Sequence, residues 1–151
     1  PRPRRHGDGL HPIGPPIRPP ADGGERLTIT GSDAYIQPTV FLGAAPDAAI
    51  VREEIFGPVL SIQTFKSEDE AIHLANDTPY GLAASLWTND LNRALRVSDR
   101  LHAGTVSVNT VDALSAMTPF GGMKQSGHGR DLSIHSFDKY TALKTVWMRY
   151  G

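Results

Sequence analysis

The sequence predicts an α/β fold: a parallel sheet whose strands are joined by crossover helices, with one more strand at the C-terminus. Three observations carry this expectation. Strand-like and helix-like periods alternate from residue 58 to 108, the connections between them are short, and turn-forming residues mark each change of period. Strand, helix, strand, helix, strand with short links favours parallel strands connected by right-handed crossovers.

Each element has its own signal. Residues 58–65 (PVLSIQTF) read as a strand. Ser67 then opens a helix, with Glu70 three residues on as its capping-box partner and Ala71, Leu74 and Ala75 on one face. The cluster 76–81 (NDTPYG) stops it, and 82–87 form a second strand. Asp90 caps a second helix, which places Leu91, Ala94, Leu95 and Leu101 on its apolar side before Gly104 ends it. Residues 105–108 complete a three-stranded parallel unit. A long glycine-rich loop, 109–130, follows, then a short helix over 132–140 and a terminal strand over 142–150. That strand carries Val146, Met148 and Tyr150 on one face and Leu143, Thr145 and Trp147 on the other.

Composition narrows the function. At 151 residues, 39% hydrophobic and 21% charged, the chain can bury one ordinary globular core. A formal charge of -1 gives no bias toward nucleic acid or an anionic membrane. No apolar run approaches the roughly 20 residues of a membrane span, and no secretory signal follows the N-terminal arginines, so the expected location is cytoplasmic. There is no cysteine, which removes disulfides, thiolate metal sites and cysteine nucleophiles together. His6, His11, His73, His102, His128 and His135 form no metal-binding spacing, so no metal is expected. Residues 1–22 stand apart, holding seven of the 12 prolines with Arg2, Arg4, Arg5 and Arg18 and no regular period. They read as an extended Pro/Arg-rich arm that cannot offset its ordering entropy by burial.

Two segments could carry chemistry: Glu53-Glu54-Ile55-Phe56-Gly57-Pro58 and 119–130 (PFGGMKQSGHGR). Paired carboxylates ahead of a strand are ordinarily solvated. The glycine-rich segment invites a phosphate-cradle reading, because successive N–H groups and a lysine can hold anions. It lacks the Gly-Lys pair of a P-loop and the Gly-x-Ser-x-Gly of a nucleophile elbow. On the residues alone it is a buried structural loop whose glycines permit positive φ and close backbone approach.

Taken together these segments resemble the aldehyde dehydrogenase superfamily. The motifs 53–59 (EEIFGPV), 79–83 (PYGLA), 104–109 (GTVSVN) and 119–130 stand in the order and spacing of that family, and 141–147 (TALKTVW) looks like its C-terminal end. The resemblance runs from Gly23 to Gly151, and 109–147 is most similar to bacterial γ-glutamyl-γ-aminobutyraldehyde dehydrogenases of polyamine breakdown. It implies NAD or NADP as cofactor, an aldehyde as substrate and a homo-oligomer as the working state. Glu54 matches the glutamate that accepts hydrogen bonds from the nicotinamide-ribose hydroxyls, and Phe56 the aromatic residue packing near the nicotinamide. Leu114 and Phe120 match positions lining the aldehyde channel, with 109–118 the variable loop that helps set substrate shape. Lys124 to Arg130 then back the catalytic loop, and the terminal strand pairs with a neighbouring subunit.

In the family a cysteine thiolate attacks the aldehyde, hydride leaves to the nicotinamide, and a base-activated water hydrolyses the thioester. The cysteine, the general-base glutamate, the oxyanion-hole asparagine and the dinucleotide-binding fold all lie upstream of the matching region. The resemblance therefore divides the chain into the arm 1–22, a partial catalytic domain 23–141 and an oligomerisation strand 142–151. It makes the chain the C-terminal portion of the enzyme and inactive alone. Two other readings stay open: a non-catalytic interaction remnant, and an independent nucleotide binder using the glycine loop.

Overall fold

A computed structural model describes residues 20–111 and 113–151. The chain divides into two compact units, the first ending at Ser67 and the second running from Glu68 to Gly151. Most of the expected arm lies outside the described residues. Its last residues are held in the first unit, where Ala21 N–H donates to the Val40 carbonyl and Val40 N–H donates back to Asp22.

The first unit begins with an antiparallel hairpin, β1 (Arg26–Ile29) and β2 (Ser32–Ile36), which turns at Thr30-Gly31. The strand β3 (Thr39–Leu42) leads through the one-turn helix α1 (Ala49–Arg52) to β4 (Val59–Ile62). β3 and β4 pair in parallel, Thr39 opposite Val59 and Leu42 opposite Ile62. Their small core is Thr39, Ala48 and Ile50. Ser61 Oγ adds a bond to the Ile50 carbonyl at 2.9 Å, which ties the helix to the strand it precedes.

The second unit holds helix α2 (Glu68–Asn76), strand β5 (Ala83–Leu86), helix α3 (Leu91–Arg100) and strand β6 (Thr105–Val108). β5 and β6 run parallel, Ala83 opposite Thr105 and Leu86 opposite Val108, with α3 as their crossover. Asp90 caps α3 as expected, its carboxylate accepting from Arg93 N–H at 3.1 Å. Ile72, Ala94 and Ser107 are the buried residues of these elements. α2 and α3 are clasped by charge: Glu68 accepts from Arg96 at 2.7 and 2.8 Å and from Arg93 at 3.3 Å, and Asp69 from Arg100 at 2.7 Å.

Four expectations need correction. The strands predicted over 58–65, 82–87 and 105–108 all exist, but not as one three-stranded ladder. β4 pairs with β3, a strand the sequence reading left out, while β5 pairs with β6. The short helix over 132–140 is a 3₁₀ helix, Ile134–Lys139, entered through Leu132 and Ser133 at φ 60° and 52°. Two successive left-handed residues cannot begin an α-helix. On α3 only Ala94 of the expected apolar set is buried; Leu91 and Leu95 are 71% and 64% exposed. Residues 142–150 form no strand, because among the described residues they have no ladder partner, and all of them are exposed.

Candidate functional site

The turn between α1 and β4 belongs to the first unit. α1 ends where Glu53 N–H donates to the Ala49 carbonyl at 2.8 Å, and the chain re-enters order where the Pro58 carbonyl accepts from Thr39 N–H at 2.8 Å. Between these fixed points Glu54 is exposed, and Phe56 sits at φ 52° with 92% of its surface open. A left-handed phenylalanine costs on the order of 1–3 kcal/mol and persists only where its surroundings impose it. No self-burial compensates this one. The turn thus displays a carboxylate, able to accept from two hydroxyls, two residues from an uncovered aromatic face.

Leu114 and Phe120 belong to the second unit, on the loop that leaves β6. Leu114 is exposed, whereas Phe120 is held by reciprocal backbone bonds with Asp131, at 2.8 and 2.7 Å. The loop's internal order comes from Ser115, whose hydroxyl accepts from Met117 N–H at 3.2 Å and whose carbonyl accepts from Thr118 N–H at 3.1 Å.

Beyond Phe120 the glycine-rich segment is bonded to the turn that follows α2. Lys124 Nζ donates to the carbonyls of Asn76 and Thr78, at 2.9 and 3.0 Å. The N–H groups of Met123 and Gln125 donate to Gly81 and Pro79. Ser126 Oγ accepts from Gly81 N–H at 3.0 Å, and Arg130 donates to the Gly122 and Gly129 carbonyls. Ser126 and Gly127 N–H turn inward to Met123 and Lys124. A phosphate cradle needs its N–H groups and lysine free to face an anion. Here Lys124 and the N–H groups of Met123, Gln125, Ser126 and Gly127 are already committed to carbonyl oxygens, so these residues act as a staple. The segment is structural but not buried as expected, since within 121–130 only Gly122 is buried.

Gly104 and Gly81 show why that staple demands glycine. A Cβ on Gly104 would stand 1.7 Å from the Gly121 carbonyl oxygen, and one on Gly81 would stand 2.6 Å from the His102 carbonyl. Asn76 completes the arrangement by donating to the Arg100 carbonyl and accepting from His102 N–H, both at 2.8 Å. From the sequence Asn76 belongs only to a turn, and Asn109 only to the 104–109 motif and the 109–118 loop, with no separate role for its side chain. Asn109 is left-handed, φ 55°, and its amide bonds Thr88 in both directions. An asparagine at a strand end, where αL is tolerated, was the available signal.

Among the described residues no group of His, Cys, Asp and Glu could hold a metal ion, and no helix is long and apolar enough to cross a membrane.

Residues 18–146 match the aldehyde dehydrogenase family. The chain is 48% identical over 146 residues to the Escherichia coli NADP/NAD-dependent aldehyde dehydrogenase PuuC, covering 95% of this chain and 29% of that protein. It is 50% identical to an aminoacetaldehyde dehydrogenase of Pseudomonas aeruginosa, over 82% of this chain and 26% of that one. Among solved structures, the P. aeruginosa aldehyde dehydrogenase KauB aligns with a TM-score of 0.82 at 50% identity, covering 87% of this chain and 27% of its own. The P. syringae indole-3-acetaldehyde dehydrogenase AldA, solved as a mutant with NAD+ and IAA, aligns with a TM-score of 0.81 at 50% identity, covering 85% and 26%. The chain thus spans less than a third of the length of these relatives, and it belongs to the aldehyde dehydrogenase family.

Proposed function

We propose that this chain works as the C-terminal portion of an NAD(P)-dependent aldehyde dehydrogenase that oxidises an aldehyde to a carboxylic acid. The observation that carries the reading is the 53–58 turn, which holds Phe56 in a costly left-handed conformation and displays it beside Glu54. Those residues fit the ribose and nicotinamide end of a dinucleotide. The carboxylate of Glu54 would accept from the two ribose hydroxyls, and Phe56 would pack near the nicotinamide. When bound, the nicotinamide supplies the hydride acceptor. Leu114 and Phe120 would line the aldehyde channel, where apolar walls keep water from the reacting carbon. Lys124 and Arg130 hold the segment behind them rigid.

The chain has no cysteine, so it cannot supply the thiolate that attacks the aldehyde, and alone it is inactive. On our reading the aldehyde of the complete enzyme belongs to polyamine breakdown, which the similarity of 109–147 to γ-glutamyl-γ-aminobutyraldehyde dehydrogenases supports. The working state would be a cytoplasmic homo-oligomer. A second reading, an oligomerisation or interaction remnant without catalysis, draws support from the exposed apolar tail 142–150.

Two measurements test the proposal. Purified chain supplied with aldehyde and NAD should form no NADH, and heat-sensitive NADH formation would overturn its inactivity. In a full-length enzyme carrying this chain, Glu54→Gln should lower kcat/KM for the cofactor by about tenfold or more, the scale of losing one charge-assisted hydrogen bond. An unchanged value would remove Glu54 from the site.

A further inference from the structure

Beyond the last paired residues of the β5–β6 ladder, Leu86 and Val108, the backbone and a side chain exchange roles. Asn109 N–H still donates to the Leu86 carbonyl at 2.8 Å, but its φ of 55° turns the main chain out of the ladder. Its side-chain amide then takes the place of the peptide unit that left. Oδ1 accepts from Thr88 N–H at 2.8 Å, and Nδ2 donates to the Thr88 carbonyl at 2.9 Å. Asparagine is suited to both demands, since it tolerates αL and carries a donor and an acceptor in one plane.

Thr88 is itself fixed. Its hydroxyl accepts from Asp90 N–H at 3.1 Å, and Asp90 caps α3. The exit of the 110–119 loop is therefore tied through Asn109 to the start of a helix. At the far end Ser133, also left-handed at φ 52°, donates its N–H to the Ala116 carbonyl at 2.8 Å. Between Asn109 and that second anchor, the described loop residues are exposed. Such a loop takes its direction from its ends.

We infer that Asn109 is a specificity-determining positioning residue: its amide latch on Thr88 fixes where the 110–119 loop leaves the sheet, and so it selects among aldehydes without touching them. The inference rests on the reading of this loop as a wall of the aldehyde channel. A residue of this kind shifts the relative kcat/KM of short and bulky aldehydes, chiefly through KM, and leaves the cofactor's KM in place.

The test compares Asn109→Gly and Asn109→Asp with the parent in a full-length enzyme carrying this chain. Glycine accepts the backbone conformation and abolishes both amide bonds, whereas aspartate keeps the acceptor and loses the donor. Amide hydrogen exchange reports the latch, and kcat/KM for a short and a bulky aldehyde reports selection. Expected are faster exchange at Thr88 and across 110–119, and a change of about tenfold in the aldehyde ratio for Asn109→Gly. Asn109→Asp should give a smaller change of the same sign, and it carries the test if the glycine variant does not fold. Unchanged exchange would overturn the latch itself. Faster exchange with both aldehydes falling equally would overturn the role in selection, and would count against this loop as a channel wall while leaving Glu54 and Phe56 untouched.

Discussion

Segments 121–130 and 142–150 lie in the same unit and both carry family motifs, but their surroundings differ completely. In the first, the side chains of Lys124, Ser126 and Arg130 and the N–H groups of Met123, Gln125, Ser126 and Gly127 find backbone partners within the unit. In the second, Leu143, Val146, Trp147, Met148 and Tyr150 are all exposed, Trp147 at 92%. The contrast follows from what each segment needs. Glycines and polar tips are satisfied by nearby backbone. Large apolar side chains need an opposing surface, and the described residues provide none. The exposed turn of Glu54 and Phe56, in the first unit, shares the tail's character, since neither side chain is covered.

The staple can be broken sterically. Gly104→Ala would drive a Cβ into the Gly121 carbonyl oxygen, and backbone cannot step aside as a side chain can. We expect a loss of about 3 kcal/mol or more, enough to unfold the second unit. Circular dichroism during thermal melting should show the loss; a melting temperature within a degree or two of the parent would mean that 121–130 is not held against Gly104 in solution.

The tail invites the opposite experiment. Exposed apolar surface of this kind drives self-association. The chain should scatter light as dimers or larger species at micromolar concentration, and Val146→Ser with Trp147→Gln should shift it toward monomer. A monodisperse monomer, unchanged by these substitutions, would show that the tail finds cover on its own chain.

The same distinction explains how much could be read in advance. β5, α3 and β6 were legible because each has a local signal: an alternating run, the Asp90 cap, the Gly104 stop. The hairpin β1–β2 had a comparable signal in Leu27, Ile29 and Gly31, which the sequence reading passed over. β3 also has a signal, in the strand-favouring Thr39, Val40 and Phe41 between Pro38 and Gly43, but four residues are too few to show a period and its partner is β4. Residues 142–150 read as a strand from the sequence, with apolar side chains on both faces, but a ladder is a property of two segments. Of the candidate site, Glu54 and Phe56 were chosen by family motif, and their display was not predictable from it. The left-handed φ of Phe56 and the paired hydrogen bonds between Asn109 and Thr88 are three-dimensional facts with no local sequence signal.

The smallest expected effect separates the staple from the charged clasp between α2 and α3. Hydrogen bonding to Arg96, reinforced by its charge and by Arg93, lowers the Glu68 carboxyl from its ordinary 4.5 to about 2. The same bond raises Arg96 further above its already high value, so the arginine stays charged throughout. With the folded value depressed, the unfolded chain binds more protons between pH 4.5 and 2. The clasp's contribution is therefore complete above about pH 4.5 and fades as pH falls through 2. Because the pair is open to solvent, that contribution is modest at any pH. The staple, built on backbone carbonyls, Lys124 and Arg130, has no carboxylate to lose. Glu68→Gln should lower the melting temperature slightly at pH 7, and the gap from the parent should close as both are acidified toward pH 2.5. A gap that stays constant with pH would assign the effect of the substitution to helix propensity or packing and remove the ion pair from the account of what holds α2 to α3.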